Sequence, residues 1–143
     1  MLLHQPIDYH ANRRPGHTAL SAPDYEWSYG TLVQKSHAIA TLLAELGVTA
    51  GDRIGVLGLN SAAHFAVMIG ASRMGAVTVS VNFRLAPAEL AFILDDAHID
   101  VLFVTDNSID DVIDQTVKQR TLATRVVANR DDAFERLDTV LAS

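Results

Sequence analysis

Apolar strands and amphipathic helices alternate along this chain from residue 53 onward, and this alternation constrains the fold more than any other feature. The predicted strands are continuous apolar runs, as in sheets covered on both faces, at residues 53–59, 76–81, 101–105 and 124–128. Helical patterns follow them at residues 61–74, 87–97, 109–119 and 132–141. We therefore expect an α/β fold with a mostly parallel sheet and helices on its faces.

The first 27 residues do not follow this alternation. A short helix is predicted at residues 7–14, before Pro15-Gly16, and two short strands at 18–22 and 26–27 surround a turn. Ser28 is a candidate N-cap for a helix that ends near Gly47. We predict a single domain over residues 1–143, with 1–27 as an edge attachment and 28–143 as a βαβ core.

Composition limits the classes of function. With 49% hydrophobic residues among 143, the chain can bury a core, and the lack of cysteine excludes disulfides and thiolate sites. Seventeen acidic against 11 basic residues give a net charge of -6, which disfavours nucleic acid and anionic membranes as partners. No membrane span or signal peptide is predicted. We expect a cytoplasmic protein.

The sequence lacks the usual motifs of nucleotide, nucleophile and metal sites. Gly55 and Gly58 lie in the predicted strand at residues 53–59 but do not form the dinucleotide fingerprint, and they are interpreted as sites of close helix approach. Neither lysine, Lys35 or Lys118, lies in a phosphate-binding loop. Ser72 lies within a helix rather than on a nucleophile elbow.

Histidines and acidic residues give no site either. The six histidines show no metal-ligand spacing and are interpreted as surface or half-buried imidazoles. Among the acidic residues, Asp106 alone follows a strand, and the pair Asp95-Asp96 lies late in its helix without a dipole explanation. No catalytic, cofactor-binding or metal-ligating residue is therefore assigned.

Five short strings nevertheless occur in order. They are Trp27-Ser28-Tyr29-x-x-Leu32, Leu46-Gly47-Val48-x-x-Gly51-Asp52-Arg53-Ile54, Asn60-Ser61 with Phe65, Gly70-Ala71-x-Arg73-x-Gly75-Ala76-Val77, and Asn82-x-Arg84-Leu85-x-x-x-Glu89-Leu90. Together they resemble the N-terminal subdomain of the adenylate-forming (AMP-binding) superfamily, which includes acyl-CoA synthetases, luciferases and adenylation domains. The resemblance runs from about residue 7 to residue 105.

The residues of these strings are interpreted as a structural signature. Asn60 is expected to cap the next helix, Asn82 and Arg84 to bond loop carbonyls, and Glu89 to favour the positive end of a helix whose cap, Ala86, is weak. The full signature is Ser28, Tyr29, Leu32, Gly47, Gly51, Asp52, Asn60, Gly70, Gly75, Asn82, Arg84 and Glu89.

The form Asn82-Phe83-Arg84-Leu85 is similar to fatty or aromatic acyl-CoA synthetases. The resemblance implies ATP, Mg and CoA as cofactors of the full-length enzyme. The family's phosphate loop, ribose-binding Asp and catalytic lysine lie later in its chains, and nothing here matches them. We therefore expect an N-terminal fragment that is inactive alone, with the remainder of the large domain as partner and a homo-oligomer when isolated. The alternatives are a stand-alone module that binds or dimerises, and an unrelated flavodoxin-like domain.

Overall fold

The computed structural model describes residues 1–58, 61–82, 84–99, 101–105, 110–120 and 125–127. Its elements follow in the order α1 (His4–Arg13), β1 (Thr18–Ala22), β2 (Tyr25–Ser28), α2 (Tyr29–Glu45), β3 (Arg53–Leu57), α3 (Ala62–Met74), β4 (Val77–Val81), α4 (Pro87–Asp96), β5 (Val101–Val104), α5 (Asp110–Gln119) and β6 (Arg125–Val127). The predicted helix at residues 132–141 lies outside the described residues.

The four predicted apolar strands form one sheet in the order β4-β3-β5-β6. All three neighbouring pairs are parallel, with Gly55 opposite both Val79 and Leu102. The expected α/β fold with a parallel sheet is confirmed. Strand β3 ends at Leu57 rather than at residue 59, because Gly58 leaves the extended conformation with a φ of 144°.

The helices cover both faces of this sheet. The connection from β3 to β4 and the connection from β4 to β5 run in opposite directions across the sheet. Right-handed crossovers then place α3 on one face and α4 on the other. Helix α2 packs on α3, and α5 packs on α4. The central strands β3 and β5 are therefore covered on both sides, and all four residues of β5 are buried.

The N-terminal segment forms its own layer. Strands β1 and β2 pair antiparallel in a separate two-stranded sheet, and α1 packs on α2 and α3. Helix α1 begins at His4, three residues before the predicted start at Ile7. None of its residues is fully buried.

Local sequence signals explain most helix ends. The Ser28 hydroxyl accepts a hydrogen bond from the Thr31 N–H over 3.1 Å, as expected of an N-cap. Pro87 occupies the first turn of α4, and Ala86 before it makes no side-chain cap bond. Helix α3 differs from expectation, because Ser61 rather than Asn60 is its N-cap.

Among the described residues, no helix combines the length and apolar character needed to cross a membrane.

Candidate functional site

The carboxyl ends of β3 and β5 form the topological switch point of the sheet. These two strands are neighbours, yet the connections that leave them run to opposite sides of the sheet. Ligands of open α/β sheets bind in the crevice that this arrangement leaves. The candidate functional site is therefore the edge where Leu57, Val81 and Val104 end their strands.

Backbone contacts close the floor of this crevice. The Thr105 N–H donates to the Leu57 carbonyl over 2.9 Å, and the Thr105 hydroxyl lies 3.5 Å from the same oxygen. Asn60 and Asp106, the two side chains that the sequence placed directly after β3 and β5, lie outside the described residues.

His64 is the one ionisable side chain buried at the start of α3. The side chain of Ser61 caps the helix by accepting from the His64 N–H over 3.2 Å. His64 is 9% exposed, and no residue in the described part of the chain bonds its Nδ1 atom. Burial lowers the pKa of His64, so the neutral imidazole is favoured.

The interpretation of all six histidines as surface or half-buried groups is therefore wrong for His64. A signal was present in the sequence, because Val67 and Ala71 follow at the spacing of one helix face and are apolar. Both are completely buried, and His64 continues their face into the first turn.

The exit of β4 is shaped by an amide side chain. Asn82 Oδ1 accepts from the backbone N–H of Arg84 over 3.0 Å, which forms a local turn. This contact uses the oxygen of the Asn82 amide, and the expected bond from the amide nitrogen to a loop carbonyl stays a prediction. Arg84 is exposed, and Glu89 lies exposed in the first turn of α4.

The described residues at this edge do not fit a nucleotide phosphate loop. Of the two lysines, Lys35 is buried in the middle of α2 and Lys118 lies in the last turn of α5. Burial lowers the pKa of Lys35. The described ranges also contain no group of three or more His, Asp or Glu side chains arranged to hold a metal ion.

Four signature residues meet instead at the amino ends of β3 and β4. Gly47, Gly51 and Gly75 adopt positive φ values of 82°, 88° and 73°. The Gly51 N–H donates to the Gly75 carbonyl over 2.9 Å, which ties the turn before β3 to the end of α3. The Asp52 carboxylate accepts hydrogen bonds from the backbone N–H of Thr49 at 2.8 Å and from the Thr49 hydroxyl at 3.1 Å. These contacts organise the fold at the edge opposite the crevice.

Gly70 lies where α3 crosses α2. A Cβ atom at this position would stand 2.6 Å from Ile39 Cγ2 and 2.8 Å from the Ser36 carbonyl oxygen, closer than side chains approach. Gly55 has a related role, since a Cβ there would meet Leu102 of β5 at 2.8 Å and Leu94 of α4 at 3.7 Å. Close approach of a helix is therefore only part of the reason for a glycine at position 55, because a side chain would also collide with the neighbouring strand β5.

A partly buried ion pair that the sequence analysis missed fastens α1 to the core. Arg73 of α3 donates to both carboxylate oxygens of Asp8 and, from Nε, to the Ser36 hydroxyl at 2.7 Å. The hydrogen bonds from Arg73 lower the pKa of Asp8, against the opposing effect of burial. His4 adds a contact from its Nδ1 to the Ser72 hydroxyl at 2.9 Å.

Two signature residues line a cavity under α1. Tyr29 and Leu32 face a space of about 230 Å³ together with Leu3, Ile7, Ala19, Leu20, Phe65, Met68 and Ile69. The Tyr29 ring also packs against His10 of α1, with ring centroids 5.2 Å apart. The eleven signature residues that the structure describes, all except Asn60, thus lie at several places in the fold rather than around one centre.

The chain is similar to proteins of one known family. The model of the family described as AMP-binding enzyme matches residues 7–142. A fatty acid–[acyl-carrier-protein] ligase, ScoC, of Streptomyces coeruleorubidus is 33% identical over 71% of this chain and 20% of its own length. Indoleacetate–CoA ligase of Aromatoleum aromaticum is 36% identical over 73% of this chain and 20% of its own. The chain therefore spans about a fifth of the length of these curated relatives.

The chain also superposes on only a part of longer solved structures. The N-terminal domain of FACL13 from Mycobacterium tuberculosis superposes with a TM-score of 0.86 and 28% identity, over 97% of this chain and 36% of that one. The anthranilate CoA ligase AuaEII, in complex with anthranoyl-AMP, superposes with a TM-score of 0.88 at 23% identity, over 97% of this chain and 27% of its own. The second likeness is one of fold alone.

Proposed function

Because this chain belongs to the AMP-binding enzyme family, we propose that it forms the N-terminal part of the large domain of an AMP-forming acyl-CoA ligase. One observation carries the proposal: most of the chain matches only a fraction of each similar protein, 71% and 73% of it against 20% of two curated ligases and 97% against 36% of the FACL13 N-terminal domain. The match begins in α1 and passes through every described element, so the shared part includes the sheet and both helix layers.

The proposed reaction has two steps. A carboxylate is joined to the α-phosphorus of ATP with loss of pyrophosphate, and the acyl group then passes to the thiol of CoA with loss of AMP. ATP, Mg and CoA would supply this chemistry in the complete ligase. The described residues do not fit the ATP phosphates, so no step of the reaction is assigned to them. Their proposed contribution is structural.

That structural contribution follows from the contacts above. Gly70 allows α2 and α3 to approach closely, and the Gly51–Gly75 bond sets the turns at the amino ends of β3 and β4. These contacts hold the parallel strands, whose carboxyl ends form the crevice. We propose that the remainder of the large domain packs beside this unit and brings the reacting groups.

The proposed substrate class is a fatty or aromatic carboxylic acid. The string Asn82-Phe83-Arg84-Leu85 supports it by resemblance. The printed names of the relatives agree, since one acts on a fatty acid and another on indoleacetate.

The first test measures adenylation by the chain alone. We expect no ATP–pyrophosphate exchange with fatty or aromatic carboxylates, and ATP binding weaker than millimolar in calorimetry. Micromolar ATP affinity that is lost on changing residues of this chain would contradict the proposal of a structural contribution.

The second test is a transplant. The matching N-terminal segment of indoleacetate–CoA ligase is replaced by this chain, and indoleacetate-dependent AMP release is measured. We expect the chimera to retain activity, while a chimera with Gly70→Val loses it because α2 and α3 are forced apart. Equal activity of the two chimeras would show that this segment does not support the catalytic domain.

A further inference from the structure

Strand β4 has one side without a strand partner. It pairs with β3 on one side, and among the residues that the structure describes no strand pairs with its other side. Val77 is 47% exposed and Ser80 is exposed as well. The pairing with β3 is regular over all five residues. Within the described part of the chain, the strand therefore presents an open and regular edge.

Natural edges of this kind are protected by charged side chains, proline or bulges. Strand β4, Val-Thr-Val-Ser-Val, has no charged residue and no proline, although the whole chain carries a net charge of -6. Its regular pairing with β3 also excludes a bulge along its length. The edge lacks these three protections, so it is suited to pair with a further strand.

The direction of the backbone groups is fixed by β3. The Val77 N–H donates to the Asp52 carbonyl over 2.7 Å. Because successive residues of a strand direct their backbone groups to opposite sides, Val77, Val79 and Val81 bond towards β3. Thr78 and Ser80 direct their N–H and C=O groups outward.

The strand is complementary to a second copy of itself. In an antiparallel pair centred on Val79, Thr78 lies opposite Ser80 of the second copy, and Val77 lies opposite Val81. The outward backbone groups of Thr78 then face those of Ser80 in the second copy, and the two-fold symmetry repeats this pair. Two hydrogen-bonded pairs of an antiparallel ladder can therefore form. Every valine faces a valine, and no charge faces a like charge, so the symmetric register satisfies backbone and side chains together.

Apolar surface continues beside the edge. A groove next to the first half of β4 is lined by Val77 and Thr78 together with Leu2, Leu3 and Met68. Leu2 and Leu3 are about half exposed. A strand pair alone buries little area, and these side chains extend the surface that a partner covers.

From these observations we propose that β4 is a homodimer interface, at which two copies of this chain pair antiparallel through residues 77–81 into one continuous eight-stranded sheet. The contact is two-fold symmetric, as in most homodimers. The proposal does not depend on the proposed function, since it uses only the edge of the sheet and the chemistry of one strand.

The mass in solution and two classes of variant test it. Wild-type protein at tens of micromolar is expected to sediment at twice the 15.5 kDa chain mass. Ser80→Pro removes an outward N–H without breaking a bond to β3, and Val77→Lys places a charge on the exposed edge. Both variants are expected to sediment as monomers with an unchanged circular dichroism spectrum.

The control is Phe92→Ser, which alters another large exposed apolar residue, 69% exposed on α4. This variant is expected to remain dimeric. Amide hydrogen exchange of the unmodified protein gives a second measurement that does not depend on how the variants fold. The Thr78 and Ser80 amides are expected to exchange more slowly as protein concentration rises.

The proposal is overturned by a wild-type protein that is monomeric at these concentrations. It is also overturned if Phe92→Ser dissociates the dimer while Ser80→Pro and Val77→Lys do not. Exchange at Thr78 and Ser80 that does not depend on concentration would equally place the contact elsewhere.

Discussion

The guanidinium of Arg120 is completely buried and donates from Nε to Oδ1 of Asp95 over 2.8 Å. The same side chain donates to the carbonyl oxygens of Leu94 and Ile99. Arg120 follows α5 directly, and its partners lie at or just after the end of α4. One side chain therefore bonds the Leu94 carbonyl in the last turn of α4, which also accepts from the Ile99 N–H, and the Ile99 carbonyl just beyond it, and so joins the two helices.

Replacement of Arg120 by methionine is expected to destabilise the fold by about 2–3 kcal/mol. The change leaves carbonyl oxygens and the Asp95 carboxylate without this donor in a largely buried place. Urea unfolding measures the loss. The matched control is Lys118→Met, which removes the same charge from an exposed position of α5 and is expected to have little effect. Equal stability of both variants would contradict the structural role of Arg120.

Gly70→Ala is expected to destabilise the protein by about 1–3 kcal/mol because the added methyl group collides with Ile39 and the Ser36 carbonyl. In an isolated helix the same change is stabilising by about 1 kcal/mol, so the sign of the effect distinguishes packing from propensity. Gly16→Ala serves as control, since nothing lies within 4 Å of a Cβ atom there. A more stable Gly70→Ala protein in urea unfolding would refute the close crossing of α2 and α3.

Gly75→Val is expected to cost more than about 1 kcal/mol. The φ of 73° is poorly tolerated by a β-branched residue, and a Cβ atom at this position also lies 3.3 Å from the Cβ of Ala50. Gly75→Asn is expected to lose less, because asparagine adopts this conformation more readily. Thermal unfolding measures both variants. An unchanged melting temperature of Gly75→Val would contradict the requirement for a left-handed residue at the end of α3.

His64 is expected to make stability fall as the pH is lowered. Burial lowers the pKa of its imidazole in the folded protein below the unfolded value of 6.5. The unfolded chain then binds more protons, so the free energy of unfolding decreases from about pH 6.5 downward until the folded imidazole also becomes protonated. Urea unfolding between pH 7.5 and pH 5 measures this slope.

The variant His64→Leu removes the buried imidazole and is expected to flatten the slope. His17→Leu is the control, since it removes an exposed imidazole from the N-terminal segment. If His64→Leu and wild type lose stability in parallel over this range, the buried imidazole does not cause the pH dependence.

Local patterns were sufficient for most elements of the fold. The apolar runs identified the four strands of the sheet, Ser28 identified the start of α2, and Gly75 the end of α3. Each of these signals depends on residues within a few positions, because capping, turn geometry and strand patterning act between neighbours along the chain. The bounds of the elements follow less directly from these patterns. Strand β3, for example, ends two residues before its predicted end because of the conformation of Gly58.

Local sequence patterns do not predict contacts between residues that are far apart along the chain. The pair of Asp8 and Arg73 joins residues 65 positions apart, and Arg120 reaches Asp95 across 25 positions. The position of Asp95 late in α4 has no explanation within that helix, because its partner Arg120 lies after α5. Gly70 was recognised by resemblance, but its physical reason, the Ile39 side chain, became visible only when α2 and α3 were in contact.

The sequence by itself therefore determined the element types, the parallel class of the sheet and the family resemblance, since these rest on periodicity and on short ordered motifs. Only the tertiary structure decided the strand order β4-β3-β5-β6, the burial of His64 and the position of β4 at the edge of the sheet that the described strands form. The physical reason is that strand order and burial depend on which elements pack together. That choice is made by the summed contacts of the whole chain and is not encoded at any one position.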